Sequence, residues 1–212
     1  MTMVGFILSK MNLLILVTAI FVIVTYFSFG FSEVMLAQKA TYLITEYTTP
    51  IQNIINSPNL CVTTSFQLPS VLKYFGGKEF FYKIWINKVV DADPDTPNYL
   101  VFALSGRGKK SSIIAAKKIE TYAEIHLFSE LNPETNGLTP EITKYDEIIV
   151  DPQNVGIIDS IYIAKQVKEG KEYIFLMSCS TTTKTCKINE GKIGDFIKSS
   201  LGESTCVKPG NI

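Results

Sequence analysis

The sequence predicts an α+β protein: one long N-terminal helix, transmembrane and then amphipathic, followed by a mostly antiparallel β domain. Three observations carry this. Residues 11–31 hold no charge, residues 36–54 repeat apolar side chains at spacings of three and four, and after Cys61 the apolar residues fall in short alternating runs.

The first run, "MNLLILVTAIFVIVTYFSFGF", makes a helix of about 31 Å against a hydrocarbon core of about 30 Å. Thirteen of its residues are Leu, Ile, Val or Phe. At roughly −0.3 to −0.6 kcal/mol each near the bilayer centre, they favour insertion by about −4 to −8 kcal/mol. Ser28-Phe29-Gly30 has the small-x-small pattern of a signal cleavage site. The run is nevertheless longer than a cleavable signal requires, and the helical pattern continues beyond it, so a retained anchor is expected. Lys10 is the only charge before the span. It favours a cytoplasmic N-terminus, with residues 1–10 as a short leader and the bulk of the chain outside.

Leu36, Ala40, Leu43, Ile44, Tyr47, Ile51 and Ile54 then form one helical face. Pro50 is expected to kink or end the rod, and Ser57-Pro58 to stop it, which sets a stem over 11–57 and a β-rich domain over 58–212. An apolar stripe outside the lipid needs a partner. Either the outer domain covers it or neighbouring copies do; the expected partners are the bilayer for the span, and copies of this chain or related proteins for the stripe.

In "EFFYKIWINKVV", alternation sets Phe80, Tyr82, Ile84 and Ile86 on one face and Phe81, Lys83, Trp85 and Asn87 on the other. "NYLVFALS", "YAEIHLF", "DEIIV", "SIYIAKQV", "EYIFLMS" and "TCKIN" continue the strands. Turns are expected at 91–98 and at Glu169-Gly170-Lys171, and a short helix at "GKIGDFIKSSLG".

Cys61, Cys179, Cys186 and Cys206 allow three pairings. The spacing in "MSCSTTTKTCKI" favours Cys179 with Cys186 across a hairpin, which leaves Cys61 with Cys206. Disulfides suit an extracytoplasmic location. No C-x2-C pair and only one histidine argue against zinc.

The layout resembles type IV pilins and archaeal pilin-like membrane proteins. The similarity is carried by the short leader ending in Ser9-Lys10, by "MNLLILVTAIFVIVTYF" and by the β domain that follows; "NYLVFALSGRGKKSSIIAAKKIETYAEI" is similar to β-domain segments of the archaeal proteins. The fifth position counted from Met11 is Ile15, where the bacterial class carries Glu. The resemblance implies a single-pass, membrane-anchored surface component or minor pilin subunit.

Asp91, Asp93 and Asp95 alternate in "DADPDTPN", the way loops gather oxygen ligands for calcium. The loop lacks the glycine turn and distant Glu of an EF-hand, so a solvated turn is the leading reading and a weak calcium site the alternative; no other cofactor is predicted. "ALSGRGKKSS" fails the P-loop pattern at Ala103 and Lys110 and reads as a basic turn. His126 reads as a half-exposed strand residue, and no Gly-x-Ser-x-Gly elbow accompanies it. No enzyme is predicted. Acidic and basic residues balance at 20 each, with Arg107 the only arginine, so the basic footprint of a nucleic-acid binder is missing.

Two functions follow from this. The first is a structural or interaction protein of pilin-like layout. The second is a membrane-tethered module that binds a small molecule or glycan through Trp85, tyrosines and loop carboxylates. What covers the stripe separates them: an outer domain packed over it within one chain favours the tethered module, and a bare stripe favours assembly.

Overall fold

A computed structural model describes residues 3–59, 61–90, 93, 96–107, 112–135, 138–153 and 158–180. It has the predicted arrangement, one long N-terminal helix followed by a mostly antiparallel β domain.

Helix α1, Met3–Ile55, is a single element about 80 Å long. Its threonines suit the apolar surroundings: Thr18, Thr25, Thr41 and Thr48 each donate their hydroxyl to the carbonyl four residues back, at 2.7–2.8 Å. Pro50 lies inside α1 and does not end it. The missing donor and ring clash cost about 3 kcal/mol. Burying the following turn, with Ile51 and Ile55 in the core, offsets that at roughly 1.5–3 kcal/mol per side chain. The helix stops at Ile55, where Asn56 and Ser57 donate back to Gln52 and Ile54.

Eleven strands follow among the described residues: β1 (Cys61–Gln67), β2 (Leu72–Lys73), β3 (Glu79–Phe80), β4 (Tyr82–Val89), β5 (Asn98–Gly106), β6 (Ile113–Thr121), β7 (Glu124–Leu131), β8 (Leu138–Tyr145), β9 (Glu147–Val150), β10 (Ser160–Lys168) and β11 (Lys171–Cys179). One sheet runs β1-β10-β11-β7-β8, a second β6-β5-β4-β9, and β2 pairs with β3. Every pairing is antiparallel except β11 with β7. The β10–β11 hairpin closes over Glu169 and Gly170, with φ of 51° and 78°. Both central residues therefore take the positive φ of a type I′ turn, which glycine accepts readily and Glu169 does not.

The predicted alternation in β4 holds where it matters. Tyr82, Ile84 and Ile86 are buried, and Trp85 lies on the opposite face. They join Leu100, Phe102 and Leu104 of β5, Leu127 of β7, Ile161 and Ile163 of β10 and Ile174 and Leu176 of β11 in one core. The C-terminal part of α1 lies in that core, mainly against β6 and β5.

Candidate functional site

The helix stripe is where the sequence places assembly. In the fold, Ala40, Leu43, Ile44 and Ile51 are buried in the β domain of their own chain, and Leu36, Tyr47 and Ile54 pack against the same core. The Tyr47 hydroxyl donates to the Gln67 carbonyl at 2.8 Å, and its ring meets Phe66 edge-on at 6.5 Å. Burial, with Glu46 nearby, pushes the Tyr47 phenol above its ordinary value. The expectation of a stripe open to other copies is thus corrected. Periodicity marks a face that leaves water without saying what it meets, and the chain's own sheets reach this face first.

The preceding turns are the opposite. Among the described side chains from Met11 to Phe31, the large apolar ones point outward on every side, with Tyr26 78% exposed. No described residue covers this window, and it is long and apolar enough to cross a membrane by length and composition. A helix apolar all round needs lipid or other helices about it. Between Phe31 and Leu36, the first residue to touch the domain core, lie only about 7–8 Å of rise. Span and domain share one helix with no linker between them.

On the β domain, a groove of about 780 Å³ opens where the two sheets meet, lined by Trp85, Pro133, Glu134, Lys144, Tyr145, Asp146 and Glu147. Strand β4 turns Trp85 outward, and its indole N–H donates to Ser105 Oγ at 2.8 Å, which fixes the ring. The β7–β8 connection contributes Pro133 and Glu134, and the β8–β9 turn and its flanks contribute Lys144, Tyr145, Asp146 and Glu147. Lys88 Nζ lies 2.8 Å from Asp146 Oδ1, and that hydrogen bond and charge hold the Asp146 carboxyl below its ordinary value. An aromatic wall beside hydrogen-bonding carboxylates and an ammonium can take a polar ligand with one apolar face. Of the expected contacts, the groove unites Trp85 with Tyr145. Its acids, Glu134, Asp146 and Glu147, were not singled out in the sequence, because only the fold brings the β7–β8 connection and the β8–β9 turn to β4.

Other predicted residues fall elsewhere. His126 is buried at 8% exposure, a correction to its half-exposed reading. Its ring stacks on Phe175 at 5.1 Å and Nε2 lies 3.1 Å from Glu124 Oε1. Alternation gives its face correctly, but that face carries Phe128, Phe175 and Met177 and is itself buried. Asp91 and Asp95 lie outside the described residues. Asp93 is exposed, and its carbonyl accepts from Thr96 N and Oγ1 in a turn. Among the described residues no three His, Cys, Asp or Glu side chains gather to hold a metal ion.

Cys179 is disulfide-bonded. Strand register excludes Cys61 as its partner: Cys61 pairs with Gln166, whereas Cys179 pairs with Ser160. Six residues along β10 separate their α-carbons by about 20 Å, where a disulfide allows at most about 7 Å. Cys186 and Cys206, like "TCKIN" and "GKIGDFIKSSLG", lie outside the described residues.

These features define an α+β protein with one helix able to span a membrane and a groove on its β domain. No protein-family model, no curated protein and no solved structure matches the chain.

Proposed function

We propose that the protein is a single-pass, membrane-anchored surface component with a structural or interaction role and a pilin-like layout. The N-terminus would lie in the cytoplasm and the β domain outside. One observation carries this reading: α1 is both candidate span and domain core, so the domain is held rigidly against the membrane and not hung on a tether. The contact surface for other copies would be the bare turns before Glu33, since the stripe after it is already occupied.

The test is the N-terminal sequence and membrane fraction of the mature protein. A chain starting at or before Met11 that stays with membranes after a salt wash supports the reading. A water-soluble chain starting near Phe31 ends it. A photo-crosslinker at Ile20 then tests assembly, which predicts chain-to-chain adducts.

The stripe covered by the chain's own domain and the groove both favour a second reading, a membrane-anchored binding module for a small molecule or glycan. Trp85 is the only tryptophan, so its fluorescence reports on the groove alone. A panel of neutral oligosaccharides that quenches wild type but not Tyr145→Ala would favour this reading over assembly.

A further inference from the structure

The outer face of the five-stranded sheet, turned away from α1, carries an apolar cluster of its own. Phe128, Ala164, Phe175, Met177 and Cys179 are buried there, with Tyr162 and Tyr173 packed at its margin. Register sets them side by side: Tyr162 opposite Met177 opposite Phe128, and Ala164 opposite Phe175 opposite His126. Among the described residues, only β7, β10 and β11 contribute to this cluster. A sheet face without a covering layer leaves its large side chains in water, yet Phe128, Phe175 and Met177 are 4%, 2% and 1% exposed.

We propose that this face is the docking surface for the chain's own C-terminal segment, residues 181–212, pinned to it by the Cys179 disulfide. Three observations converge on that occupant. Cys179 sits at the end of β11 on this face and is disulfide-bonded, and with Cys61 excluded by register the candidates are Cys186 and Cys206, both in the segment. The chain leaves β11 at buried Ser180, so the segment starts where the cluster is. Its 32 residues include Ile193, Phe196, Ile197 and Leu201 at helical spacings of three and four, an apolar face to match the aromatic one. The domain would then have three layers, the outermost fastened covalently. The proposal is independent of the membrane and groove readings.

Three measurements on the full chain in detergent test it. Non-reducing peptide mapping should join Cys179 to Cys186 or Cys206; a Cys179–Cys61 peptide overturns the proposal. Hydroxyl-radical footprinting should find Met177 protected in wild type and oxidised at least about tenfold faster in Phe196→Glu/Ile197→Glu, with unchanged Trp85 fluorescence confirming that the β domain is folded. Unchanged protection of Met177 in that variant overturns it. Should the double variant unfold, a photo-crosslinker at Phe196 decides. Adducts within one chain to residues 126–128 or 175–177 support the docking, and adducts elsewhere or between chains refute it.

Discussion

Lys165 Nζ donates to the backbone carbonyl of Ile55 at 2.6 Å, tying the middle of β10 to the last residue of α1 across 110 positions of sequence. It also donates to Ser57 O at 2.8 Å and lies 3.0 Å from Glu172 Oε1, with 2% of its surface exposed. The last turn of α1 carries no basic residue of its own. Carbonyls at a helix C-terminus bear partial negative charge and lack intrahelical donors. Lys165 supplies both the charge and the hydrogen bonds from a strand.

Replacing Lys165 with Met should therefore destabilise the domain by about 2–4 kcal/mol, since it leaves buried carbonyls without donors and Glu172 without its partner. Thermal unfolding in detergent checks this, with the exposed Lys171→Met as the control expected to move little. Equal melting temperatures for the two variants would mean that the cap contributes nothing.

The occupied stripe gives a second expectation. Ile51→Ala removes a fully buried side chain and should cost about 2–4 kcal/mol, whereas exposed Tyr42→Ala, on the opposite side of the same helix, should stay within about 0.5 kcal/mol. Denaturant unfolding measures both. A stable Ile51→Ala whose only defect is in self-association would return the stripe to a role between chains.

Much of this architecture was legible in the sequence, and the parts that were not share a physical cause. The uncharged run and the three-four periodicity identify the helix, and alternation identifies β4 and its inward face. Neither pattern names the opposing surface. Strand β8 was not singled out because Pro140 and Lys144 interrupt it; an edge strand, with one side unpaired, tolerates proline. Strand β6 hides behind Lys117 and Lys118, although Lys118 sits 3.2 Å above the Tyr99 ring centroid. The groove depends on the β8–β9 turn reaching Trp85, a juxtaposition made by tertiary packing that no local spacing encodes.

A buried ion pair on the outward face of the four-stranded sheet offers a third prediction. Lys83 Nζ lies 3.2 Å from Asp151 Oδ2, and Asp151 is 1% exposed. Asp151→Ala should destabilise by about 3–5 kcal/mol, because it removes the carboxylate that faces a mostly buried ammonium. Lys83→Met in the same background should recover a good part of that loss, a coupling that a double-mutant cycle reads directly. Strictly additive losses would show that the two groups do not act as a pair.

The fourth prediction concerns pH. Burial is the main reason that the His126 imidazole sits below its ordinary value of 6.5; Lys144 and Lys88 push it the same way, and Glu124 opposes them. Its Nδ1 is buried with no hydrogen-bond partner among the described residues, so a second ring proton would find no acceptor among them. As pH falls the unfolded chain protonates His126 first, and between the folded and unfolded pKa values it holds more protons than the native state. The stabilisation is fully present above about pH 6.5 and is lost as pH falls through the folded value. Asp146, also held low, acts only beneath its ordinary 3.8 and does not overlap this window. His126→Phe keeps a ring to stack on Phe175 and has nothing to titrate. The gap in melting temperature between wild type and His126→Phe should stay constant above about pH 7, then shift against wild type from about pH 6.5 down to 5. A gap that instead moves in favour of wild type on acidification would mean that Glu124 outweighs burial and that the folded imidazole prefers its charge.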